Sequence, residues 1–178
     1  MLEGIIRESI GKRETKALRR DGYLIANIYG KGLENINAAF KQNEYIRTVR
    51  SKEALAFDVK VADKTLSVVI QSYESHPLTG ELLHVDLMVA QKDIQTHYHV
   101  PVKLVGESIG LKNKGLVNLS KKRLRVKGLI GDLPKEIVID ISDMDVGDSK
   151  MIRDLDPIGN VTFTDSSRVG VVSIIKAK

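Results

Sequence analysis

Along this chain, hydrophobic residues recur mostly at every second position. Leu55-Ala-Phe57-Asp-Val59-Lys-Val61 alternates, Ala62-Asp63-Lys64 interrupts the pattern, and Leu66-Ser-Val68-Val69-Ile70 resumes it. Successive side chains of a strand point to opposite faces, so this segment is expected to form a β-hairpin. Leu83-His-Val85-Asp-Leu87-Met-Val89 alternates too, with its apolar side on odd numbers, which puts His84 and Asp86 together on the other face. Ile5-Ile6 and Ile25–Tyr29 add two further strands. Helical spacing appears twice. Glu14–Asp21 reads as a short basic helix with Gly22 placed to end it. Asn43–Ser51 reads as a second, with Ile46, Val49 and Arg50 at three-to-four spacing. The amino-terminal part is therefore expected to be a mixed α+β unit of five or six strands.

The texture changes after Gln91-Lys92-Asp93. His99–Gly106, Leu124–Gly128, Ile137–Ile141 and Val169–Ile175 read as strands. Turn signals separate them at Gly110, Gly115, Asp132-Leu-Pro134, Asp145-Val-Gly147-Asp148 and Asp156-Pro157-Ile-Gly159. Short strands at such spacing, without a helical pattern, predict an all-β second domain. The expected division is 1–93 and 94–178, and the whole chain is expected to be mainly β with a few helices.

Composition narrows the chemistry. A chain of 178 residues with 42% hydrophobic and 29% charged residues can bury one or two small cores. The lack of cysteine excludes disulfides, thiolate catalysis and cysteine-held metals. Aromatics at 4%, with no tryptophan, argue against stacking as the main way of holding single-stranded bases. The opening stretch 1–11 has no apolar run after a basic start, so no signal peptide is expected. No stretch approaches the ~20 apolar residues of a membrane span, and a cytoplasmic location follows as the expectation. The net charge of +5 favours an anionic partner without naming one.

Charge placement says more than its total. Lys12, Arg13, Lys16, Arg19 and Arg20 crowd into nine residues against one acid, Glu14. Arginine forks and lysine ammonium groups suit phosphate oxygens and guanine edges, although a solvated helix face has the same composition. A second basic block, Lys112, Lys114, Lys121, Lys122, Arg123, Arg125 and Lys127, contains no acid. An acid-rich stretch follows over residues 132–156.

Tyr29 opens a Gly30-Lys31-Gly32 segment that lacks the spacing of a phosphate loop and reads as a hairpin turn. In His76-Pro77-Leu78-Thr79-Gly80-Glu81-Leu82-Leu83-His84-Val85-Asp86, the paired His84 and Asp86 could meet a base edge, since a carboxylate accepts from base amino groups; an exposed strand face is the plain alternative. His97 and His99 share a strand face, but two imidazoles without a third ligand make a weak metal site. No nucleophile motif or carboxylate dyad is present, so no catalytic residue, metal or cofactor is expected.

The order of these pieces resembles one family. A basic Gly-Lys…Leu-Arg-Arg-x-Gly helix precedes a strand ending Tyr-Gly, then a helix, a hairpin and His-Pro-x-x-Gly-x-x-x-His-Val-Asp. This is similar to bacterial large-subunit ribosomal protein twenty-five in its long two-domain form, the general stress protein Ctc family. The resemblance implies an amino-terminal β-barrel with helices that binds 5S rRNA at the loop E region through a widened minor groove. It also implies a place in the large ribosomal subunit, beside ribosomal RNA and neighbouring ribosomal proteins, and a monomer off the ribosome.

Carried over by position, the family's RNA-contacting residues fall on Arg7, Arg19, Tyr29, His84 and Asp86, with Lys12, Lys16 and Gln71 as further contributors. The chain departs from the family pattern at Arg13, Lys16, Ala17, Ile25 and Asn27. Two other readings compete: a stress-related factor using the same barrel on another structured RNA, and a metalloenzyme built on His76, His84, His97 and His99.

Overall fold

The computed structural model describes residues 2–91 and 93–176. Met1, Lys92 within the expected boundary stretch, and residues 177–178 lie outside that description. The chain divides into two compact units, meeting at residues 92 and 93.

The first unit is a closed six-stranded barrel. Its elements run β1 (Leu2–Ile6), α1 (Lys12–Arg20), β2 (Tyr23–Gly30), β3 (Leu33–Lys41), α2 (Gln42–Ser51), β4 (Phe57–Val61), β5 (Lys64–Ser75) and β6 (Leu82–Val89). Around the barrel the order is β1-β3-β2-β6-β5-β4, and a parallel pairing of β1 with β4 closes it. Closure removes every sheet edge, so each strand needs only one apolar face. That face supplies Leu24, Ala26 and Ile28 from β2, Ala38 and Phe40 from β3, and Val85 and Leu87 from β6.

Helix α2 packs against this core. Tyr45 is the helix's buried residue and meets the Phe57 ring edge-on at 6.4 Å, with Ile46 and Val49 beside it. Arg50 is exposed. The helix's inward stripe therefore starts one residue before the expected one, and Arg50 falls outside it.

The β4–β5 hairpin forms as expected, turning through Ala62 at φ 51. The Tyr29–Gly32 segment is likewise a hairpin, between β2 and β3, with a bulge at its end and Gly32 at φ 77. The His76–Gly80 segment joins β5 to β6. His76 Nδ1 accepts from the backbone N–H groups of Leu78 and Thr79, and Gly80, at φ 70, donates to the His76 carbonyl. This imidazole shapes a turn.

The second unit contains β7 (Thr96–Val105), α3 (Ile109–Lys112), β8 (Gly115–Leu119), β9 (Arg123–Gly128), β10 (Ile137–Asp140), β11 (Ser149–Met151), β12 (Thr162–Phe163) and β13 (Gly170–Lys176). They form two sheets, β10-β7-β9-β12 and β11-β13-β8. The unit is β-rich but not free of helix. Ser108 is fully buried and its hydroxyl caps α3 by accepting from Leu111 N–H. Gly110, expected in a turn, lies in that helix, where a Cβ would sit 2.8 Å from Ile174 Cγ2. Two single-turn 3-10 helices add to it, over Ile130–Asp132 and Ile152–Asp154.

Three aspartates brace the loops of this unit. Asp140 accepts from Ser142, Asp143 from Lys150, and Asp145 from Asn113 and the Val146 N–H. These hydrogen bonds hold all three carboxyls below the ordinary aspartate range. A depressed folded-state pKa contributes stability above the unfolded value and loses it as pH falls through the folded one. The melting temperature of the second unit is therefore expected to drop as pH falls below about 4, the unfolded aspartate range. The D140N/D143N/D145N triple variant will show a shallower drop in calorimetry between neutral pH and that range.

Candidate nucleic-acid interface

The barrel's outward positions assemble a polar row that no single strand reveals. Arg7 N–H donates to the Asn37 carbonyl, extending the β1–β3 pairing. Asn37 is in register with Asn27, Asn27 with Asp86, and Asp86 with Ser72. Five strand paths thus line up Arg7, Asn37, Asn27, Asp86 and Ser72 across the outer wall. Directly opposed strand residues stand about 5 Å apart, close enough to form one hydrogen-bonding surface.

Asp86 stands between Asn27 and Ser72 in this row. It accepts from the Ser72 hydroxyl, and its other oxygen lies 3.7 Å from His84 Nδ1. Both His84 and Asp86 are about one-third exposed or less, so the pair is reachable but held in place. Tyr29 projects from the same outer face. Its hydroxyl pKa is raised, by burial first and then by the Asp86 charge, so it remains a donor at neutral pH. Asn27 Oδ1 and Arg7 Nε are buried with no hydrogen-bond partner among the described residues. An unmet polar atom of this kind costs stability unless something completes it.

Helix α1 lies along β2 beside this row. Glu14 in its first turn and Arg19 and Arg20 in its last suit the helix dipole, and Gly22 at φ 77 ends it. Thr15, Leu18 and Arg19 are half-buried, while Lys12, Arg13, Lys16 and Arg20 are exposed. The inward residues tie the helix down. Arg7 Nη2 donates to Thr15 Oγ1 at 2.6 Å, and Arg19 donates from Nε and Nη2 to the Leu83 carbonyl at 3.2 and 3.0 Å. Ile25 and Ala39 are buried although they alternate with the strand positions that face the barrel interior.

The structure therefore joins Arg7, Arg19, Tyr29, His84 and Asp86 on one connected surface, with Lys12 and Lys16 on the rim that α1 presents. Gln71 sits in the bulge of β5, next to Ser72. Arg19 faces the barrel rather than solvent, so the exposed cations of the helix are Lys12, Arg13, Lys16 and Arg20. Asn37, Asn27 and Ser72 were not singled out as contacts by sequence. Their common row depends on the register between strands far apart in the chain. Among the described residues, no three of His, Asp and Glu come together as a metal-binding group.

Fold and surface together define a β-barrel protein with a basic helix beside a hydrogen-bonding outer face, followed by a β-rich unit. Residues 2–87 match the model of the ribosomal L25p family, and residues 95–178 match that of the C-terminal domain of ribosomal protein TL5. The chain is 68% identical to a large ribosomal subunit protein bL25 of Sulfurimonas denitrificans, over the full length of both. Proteins of that name from Nitratiruptor sp. and Campylobacter jejuni subsp. doylei are each 58% identical to it over the same full span. The chain belongs to the ribosomal L25p family, in its long two-domain form.

Proposed function

We propose that this protein is a structural constituent of the large ribosomal subunit, at work on cytoplasmic ribosomes, and that its first unit binds 5S rRNA. The observation that carries the RNA reading is the polar row through Asp86 beside the exposed cations of α1. Lysines and arginines on the rim engage phosphates, while Asp86, His84, Asn27 and the Tyr29 hydroxyl meet base and sugar groups in a groove wide enough to admit them. The low aromatic content agrees with recognition of a folded RNA groove instead of stacked single strands.

Arg19→Ala and His84→Ala are each expected to weaken 5S rRNA binding by about 1–3 kcal/mol in titrations at fixed moderate salt. Arg19 acts by holding α1 on the barrel, so its variant will also lower the melting temperature; His84→Ala will leave it nearly unchanged. Affinity should fall steeply with salt as phosphate contacts release counterions. Unchanged affinity in both variants, or a flat salt response, would sink this reading. Sequencing of RNA recovered with the protein separates it from a stress-related factor acting on another structured RNA.

A further inference from the structure

The second basic block of the sequence does not scatter in the fold. Strand β9 alternates Leu124, Val126 and Gly128, all buried, with Arg123, Arg125 and Lys127 on the opposite face. Register extends that face over the two neighbouring strands. Pro101, His99 and His97 of β7 stand opposite Arg123, Arg125 and Lys127, and Thr162 of β12 flanks Lys127 on its other side. His97 Nδ1 lies 3.2 Å from Thr164 Oγ1, which puts that hydroxyl on the same face. Lys121 and Lys122 are exposed just before β9 begins.

On its β10 side this face carries Glu136 and Asp140. Glu136 is taken up by Lys103 at 2.9 Å, and Asp140 by Ser142. Arg125 and Lys127 are exposed and have no acidic partner among the described residues. Like charges two apart on one strand, about 6.7 Å from each other, repel.

We propose that this sheet face, centred on Arg125 and Lys127, is a second RNA-binding surface that grips phosphate backbone independently of base sequence. The charge is complementary to a polyanion. The cations repeat at every second residue of one strand, as phosphates repeat along a nucleic-acid chain, and threonine hydroxyls and imidazoles stand beside them on the neighbouring strands as further hydrogen-bonding groups. The one tyrosine of the central strands, Tyr98, is buried on the other side, so no tyrosine ring is offered for stacking. Ribosomal RNA is the abundant polyanion around a member of this family, and it is favoured over an acidic protein for that reason. This inference goes beyond the 5S reading of the first unit and does not rest on its details.

The test uses the full chain with the first-unit surface weakened by K12Q, K16Q and R20Q. A labelled 20-base-pair RNA duplex of mixed sequence is titrated between 50 and 200 mM salt, and circular dichroism melts confirm folding. Adding R125Q and K127Q is expected to reduce affinity about tenfold and to flatten the log–log salt slope by about two. The same affinity and slope with and without R125Q and K127Q would overturn the proposal. So would absence of duplex binding in the weakened background, or binding of a polyglutamate peptide in preference to the duplex. The 5S reading stands or falls separately, on the loss caused by first-unit substitutions alone.

Discussion

Phe40→Ala is expected to lower the unfolding free energy of the first unit by about 3–5 kcal/mol, read as an earlier midpoint in urea. Phe40 is fully buried on β3 and belongs to the barrel core. Its ring occupies the space beside Gly4 of β1, where a Cβ would overlap it. The two positions are cross-strand partners, so a glycine and a large ring together fill one layer of the barrel. Alanine at 40 leaves both sides of that layer small. Neighbouring strands are hydrogen-bonded in a closed ring and cannot collapse into the gap, which puts the cost at the upper end for such a change. Phe40→Leu retains much of the volume and will lose less. A loss below about 1 kcal/mol for the alanine variant would mean that the ring is not part of a packed core.

Asp86→Ala is expected to weaken 5S rRNA binding by about 1–3 kcal/mol at fixed salt. The sign is the informative part. A carboxylate repels a polyanion, so charge alone predicts that its removal strengthens binding. The geometry predicts the reverse. Asp86 stands in the polar row between Asn27 and Ser72, held by the Ser72 hydroxyl and beside His84, where it can accept from a base amino group or orient the imidazole. Asp86→Asn keeps one acceptor and removes the charge, and its affinity should fall between the two. Tighter binding by the alanine variant would leave Asp86 as an ordinary surface acid.

Much of the first unit was legible because its strands are two-sided. Val85 and Leu87 go inward, so His84 and Asp86 have to share the outer face, and the alternation says so without any structure. Strand β3 was not legible. Its Ala38-Ala39-Phe40 run breaks the alternation because Ala39, at an outer position, is apolar and buried as well. Missing β3 conceals Asn37, and the register of β2 on β6 conceals the partnership of Asn27 with Asp86.

The basic helix was visible as a charge cluster, but composition does not say which cations face the barrel. Arg19 turns inward to the Leu83 carbonyl, while Lys16 and Arg20 turn out. In the second unit, β11 and β12 are three and two residues long, too short to carry a period. The cationic sheet face was present in the sequence only as a basic block. Alternation in Arg123–Gly128 sorts three of its charges to one side, and pairing with β7 sets them opposite two histidines and a proline.

The central claim is that the outer wall of the barrel, from α1 to the Asp86 row, holds 5S rRNA. Hydroxyl-radical footprinting of 5S rRNA with the full chain and with a folded H84A/D86A variant tests it most directly. Protection of the loop E region by the unaltered protein, and its loss with the variant at the same protein concentration, is the expected result. Equal protection by both proteins, or none by the unaltered one, would contradict it.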